Sequence, residues 1–203
     1  MANAANLESL SAAMRELQAE VIAVPPFEVK LLEAGHAVHF RCHGPSVDGL
    51  RVDVMSRMRG VDAFPRLWER RVVLASGVAV LSLPDLVAAK KTQLDKDWPM
   101  LRRLVEADYF AKSITPTHAD IRFWLRECRT PALVRELVAR HAAEAKAEPR
   151  PAVQRALQGG DEAAIAGALR EEEDAERAAD ATYWAPLKRE LEELRHRVRN
   201  PER

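Results

Sequence analysis

Cysteine is almost absent from this sequence. Cys42 and Cys128 are the two it has, and they lie far apart. A disulfide framework in so small a chain needs more and closer cysteines, so both read as reduced thiols in a cytoplasmic protein. Aromatic residues are also scarce, at 5%, so a core has to rest mainly on Leu, Val and Ala. No apolar run approaches the ~20 residues that a membrane-spanning helix needs. The N-terminal stretch MANAANLESL lacks the basic start and apolar run of a signal peptide. Neither sign of charge is in excess, with 31 basic and 31 acidic residues. A general nucleic-acid binder carries surplus Lys and Arg to neutralise phosphates, so that class is not expected, and neither is a membrane partner.

What remains is a composition that can fold. Hydrophobic residues make up 47% of the 203, which argues against a disordered chain and fits one domain with an appendage. Leu7, Leu10, Met14, Leu17 and Val21 step by three and four, which predicts a helix that Asn6 can cap and Pro25-Pro26 stops. Val38, Phe40 and Cys42 alternate with His39, Arg41 and His43, a strand pattern ended by Gly44-Pro45. Leu50, Val52 and Val54 alternate with Arg51 and Asp53 in a second strand, which places Arg51 and Asp53 on one face.

Residues 61–70 read as a short helix carrying Phe64, Leu67 and Trp68. The β-rich runs 71–75 and 78–81 flank Ser76-Gly77, which predicts a hairpin with a two-residue loop. Ser82 as cap, Pro84 in the first turn and Asp85 at the positive end of the dipole start a helix over about 84–93. Trp98, Leu101, Leu104, Val105 and Asp108 mark the next helix, with Asp97 as its cap. Beyond Thr115 strand signals vanish. Helices are expected over 117–128, 131–146, 151–158, 161–178 and 183–198. The fold expected is therefore α+β: a small mixed sheet with flanking helices over 1–112, then a helical region over 113–203.

Order and spacing in the middle of the chain carry one specific likeness. Val52-Asp53-Val54-Met55, then Gly60-Val61-Asp62-Ala63-Phe64, a hairpin, Asp85-Leu86-Val87-Ala88-Ala89-Lys90 and Lys96-Asp97 follow one another. This succession resembles the second half of small bacterial nucleotidyltransferase-fold proteins, the group with minimal nucleotidyltransferases and toxin-like relatives of type IV toxin–antitoxin systems. About a quarter of the chain carries the likeness. In that family a Gly-Ser or Gly-Gly turn leads, a short strand later, to an Asp-x-Asp pair that holds Mg²⁺, and a later strand supplies a third carboxylate. The likeness implies that Asp53 is that third acid and a metal ligand if an upstream acidic pair exists, and that Lys90 approaches a nucleotide phosphate. No Gly-Ser turn followed by Asp-x-Asp precedes Asp53 here.

Each candidate has a plainer reading. Asp53 can be a strand carboxylate paired with Arg51 or Arg41, and Lys90 a solvated helix lysine. His36, His39, His43 and Cys42 split between the two faces of a strand, so they do not converge as metal ligands. Cys128 reads as a buried thiol. Tyr183-Trp184 anchors the last helix to its own domain or docks a partner. The function expected is a catalytically incomplete nucleotidyltransferase-like protein with a binding or regulatory role. The alternatives are a Mg²⁺-dependent nucleotidyltransferase whose acidic pair lies upstream of Met1, and a helical interaction module. The partners these readings admit are a nucleotide and, through the helical tail, a protein or a second copy of the chain.

Overall fold

The computed structural model describes residues 4–199. In chain order the elements are α1 (Ala4–Glu16), β1 (Glu20–Val21), α2 (Val29–Ala34), β2 (Val38–Arg41), β3 (Arg51–Val54), α3 (Phe64–Glu69), β4 (Val72–Val73), β5 (Ala79–Val80), α4 (Leu83–Ala89), α5 (Asp97–Lys112), α6 (His118–Glu127), α7 (Pro131–Arg140), α8 (Ala142–Ala147), α9 (Pro151–Leu157) and α10 (Glu162–Arg199). The class is α+β. The strands do not share one mixed sheet: β1-β2-β3 form one antiparallel sheet and β4-β5 another. Internal contacts divide the chain into two units. One takes residues up to Arg66 together with those from Thr182 onward, and the other takes Leu67–Ala181.

In the first unit the strand alternation sorts side chains as the sequence implies. Phe40 stands opposite Val21 and Val52, and Val38 opposite Val54. Phe40 and Val38 are buried with Met14 and Leu32, and Leu7, Leu10, Leu17 and Phe27 pack against them. Phe27 meets Phe40 edge-to-face at 5.5 Å. The opposite face carries Glu20, His39, Arg41, Arg51 and Asp53, with Arg41 directly across from Arg51.

The first helix is shorter than its stripe. Gln18 has φ 49°. Its N–H bonds the Arg15 carbonyl and the Ala19 N–H bonds that of Met14, which is a Schellman ending with Gln in the place glycine usually takes. Leu17 therefore closes the helix, and Val21 belongs to β1, where a β-branched side chain fits a pleated edge. The 3.5-residue average spacing hid this, because Val21 also falls on the helical stripe.

The second unit holds the larger core. Val87 of α4, and Trp98, Leu101, Val105 and Tyr109 of α5, are buried with Ile121, Trp124, Leu125, Val134, Leu137, Ala152, Val153, Ile165 and Leu169. Aliphatics do not carry this core alone: Trp124 is fully buried and meets Tyr109 edge-to-face at 5.1 Å. The hairpin loop is three residues, not two. The Gly77 N–H bonds the Leu74 carbonyl and the Leu74 N–H bonds that of Val78, while Gly77 sits at φ 82°. That is a β-turn closed by a left-handed glycine, the usual three-residue solution.

Helix ends were partly misplaced by sequence. The α4 helix stops at Ala89 with Lys90 as its C-cap. Asp97 is not a cap but the first residue of α5; it is buried and accepts a hydrogen bond from Thr92 Oγ1 at 2.6 Å. The expected helix over 131–146 breaks at His141 (ψ 50°) into α7 and α8. The two expected last helices are one, because alanines bridge the gap and Pro186 removes a single N–H without ending α10.

Candidate functional site

Asp53 is the residue that the sequence resemblance singled out. It lies mid-strand in β3, opposite His39 of β2, and period-two geometry aims both from the polar face. His39 Nδ1 is 2.7 Å from Asp53 Oδ1, and Arg51 Nε donates to the same oxygen at 3.0 Å. A carboxylate only accepts, so Nδ1 carries the proton. The approach of Arg51 Nη2 to Nδ1, at 3.2 Å, is then a contact between two donors. Partial burial pushes the Asp53 carboxyl up. The hydrogen bonds and charges of His39 and Arg51 outweigh it and hold the group below its usual value.

This arrangement does not fit Mg²⁺. It offers one carboxylate, and that carboxylate already carries an imidazole and a guanidinium on its Oδ1. Among the described residues, no three His, Cys, Asp or Glu side chains are grouped to hold a metal ion. His36 is buried and its Nε2 lies 2.7 Å from Glu190 Oε2 on α10, while His43 stands by Glu20 and Asp48. Cys42 and Cys128 are both buried free thiols, and burial first of all raises the Cys128 thiol above its usual value.

Lys90 sits in the second unit, with Nζ 3.6 Å from Asp97 Oδ1 and its side chain well exposed. Asp85 is tied within its own unit. Its carboxylate takes two bonds from Arg70, at 2.7 and 3.2 Å, and one from Ser82 Oγ at 2.6 Å, while Ser82 Oγ accepts from the Asp85 N–H. Arg70 chiefly, with help from Ser82, holds this carboxyl below its usual value against burial. Tyr183 and Trp184 stack edge-to-face on each other at 4.9 Å, and Tyr183 stays exposed.

Sequence reasoning missed a buried charge cluster in the second unit. Arg150 donates to Glu172 Oε2 at 2.8 Å and to the Leu125 and Cys128 carbonyls at 3.0 and 2.8 Å. Glu172 Oε1 in turn accepts from the Ala152 N–H at the start of α9. Arg150 stands between two prolines and Glu172 within the run Glu171-Glu172-Glu173-Asp174, and neither local setting marks a buried pair.

No family model matches this chain, and neither curated proteins nor solved structures yield a match. No described helix is long and apolar enough to cross a membrane.

Proposed function

We propose that this protein is a nucleotidyltransferase-like binding protein rather than a transferase. In this reading the polar face of the first sheet takes a nucleotide, and Asp53 orients the groups that hold it. The observation that carries the reading is the shared acceptor: Asp53 Oδ1 receives both His39 and Arg51, so the carboxylate is spent on positioning a cation and an imidazole. Arg41, in register across from Arg51, brings a second guanidinium to the same face, and two like charges directly opposed favour an anion between them. The succession of β3, α3, the β4–β5 hairpin, α4 and α5 also follows the order that the resemblance implies.

The test is equilibrium binding and turnover on the same preparation. Each nucleoside triphosphate is titrated with and without Mg²⁺ while nucleotide transfer and pyrophosphate release are followed. The expected result is binding that does not require Mg²⁺, that weakens by about tenfold in Arg51→Gln, the loss of one charge-assisted contact, and that produces no transfer. Mg²⁺-dependent transfer abolished by Asp53→Asn would overturn the proposal and establish the enzyme reading instead.

A further inference from the structure

The second unit contains a cavity of about 550 Å³ whose walls come from the segments around Lys91, α6, α9 and α10. Four cations line it, and three have carboxylate partners. Lys91 donates to Glu127 at 2.9 Å, Arg126 to Glu148 at 3.1 Å, and Arg150 to Glu172 at 2.8 Å. The fourth, Arg129, is only 7% exposed, yet it forms no ion pair among the described residues and its Nη1 has no hydrogen-bond partner. Its guanidinium rests against the Trp98 ring, 4.6 Å from the centroid. Aromatic contact tolerates a cation but does not neutralise it. Burial pushes the Arg129 guanidinium below its usual value, and the like charge of Arg150 adds to this against the pull of Glu127, Glu172 and Glu173.

A buried guanidinium with no ion pair and an unbonded Nη1 is costly unless something completes its pairing. Among the described residues, the other three cations lining the cavity each have a carboxylate partner within hydrogen-bond distance, and this one has none. The planar fork of arginine matches two oxygens of a carboxylate or phosphate. The volume falls in the range of small-molecule sites and exceeds what a lone ion fills. The carboxylates of Glu127, Glu148, Glu172 and Glu176 line the cavity beside the four cations, so a singly anionic group is favoured over a bare polyanion.

We propose that this cavity binds a small organic oxyanion, a carboxylate or a phosphate monoester, with its charged group on Arg129. The site uses none of the residues around Asp53, so it stands or falls independently of the proposed function.

The experiment is calorimetric titration of the full chain at fixed ionic strength near pH 7.5, with inorganic phosphate and acetate as probes. One saturable site with a Kd of about 1 mM for at least one probe is expected. Tighter phosphate binding assigns a phosphate monoester, and tighter acetate binding assigns a carboxylate. Arg129→Gln should weaken binding by at least ~10-fold, and Arg129→Lys, which keeps charge without the fork, by a few-fold. Circular dichroism checks that both variants fold, and Arg129→Lys carries the test if the glutamine variant does not. Arg135→Gln removes an equal charge from the exposed pair with Glu162 and should leave binding unchanged. No saturable binding of either probe by the native chain, or binding unchanged in both Arg129 variants, overturns the proposal.

Discussion

Replacing Arg150 by alanine probes a buried ion pair of the second unit. The side chain is 8% exposed and its partner Glu172 16% exposed, so solvent does little to replace the pair. The substitution removes the counter-charge of Glu172, while the same carboxylate still has to cap the Ala152 N–H. It also strips the donor from the Leu125 and Cys128 carbonyls where α6 ends. Breaking one partner of a buried pair costs about 3–5 kcal/mol. Relief of the like-charged Arg129 works the other way, which places the expected loss near 3 kcal/mol, a large part of the roughly 5–15 kcal/mol a domain has. Urea unfolding reads this as a fall in midpoint at constant slope. The double variant Arg150→Met with Glu172→Leu removes both charges together and should recover part of the loss, because no orphaned carboxylate remains although the Leu125 and Cys128 carbonyls and the Ala152 N–H lose their partners. A loss below ~1 kcal/mol for the alanine variant, or a double variant as unstable as the single, would refute the reasoning.

Two further outcomes follow from local geometry. The buried Tyr109 hydroxyl donates to Glu136 at 2.5 Å and accepts from Arg140 at 3.0 Å, and burial first, then Glu136, raises the phenol above its usual value. A raised folded value means that the stability is fully present below the unfolded value, ~10, and is lost as pH climbs through the folded one. Tyr109→Phe should therefore cost about 1–2 kcal/mol at neutral pH and converge with the native chain in strong alkali, followed by denaturant titration across pH; a constant difference at all pH would exclude this linkage. Gly77→Ala meets no atom within 4 Å of its new Cβ, so its cost is the left-handed backbone alone, about 1–2 kcal/mol, with Asn cheaper than Ala. Hydrogen exchange of the Leu74 and Gly77 amides reads it, and equal exchange in the Ala and native chains would show the turn to be unstrained.

Local codes were legible. The Ser82 cap, the Pro84 position and the alternation of β2 and β3 involve side chains a few residues from the backbone they govern, and the structure has each of them. Thr117-x-x-Asp120 was equally readable, and the capping box is present. The placement of Arg51 and Asp53 on one face followed from period two alone, and their hydrogen bond follows from that placement.

Long-range pairing was not legible, because no periodicity links its members. His36 and Glu190 are 154 residues apart, and Gln93 and Asp180 are 87 apart. Glu172 belongs to a run of four acids, and nothing local separates the one that is tied to Arg150 from neighbours that face solvent. The same holds for ends: Val21 satisfied a helical stripe and a strand equally, and pairing with Phe40 decided between them. By itself the sequence determined roughly where β2, β3, the β4–β5 hairpin and most of the helices lie and which face of β2 and β3 is apolar, since those follow from neighbours in the chain, but it showed neither α2 nor β1. Only the tertiary structure decided which charges are buried and paired, and among the described residues it left Arg129 with no ion pair and its Nη1 without a hydrogen-bond partner, because burial and pairing are set by what distant segments bring to the same place.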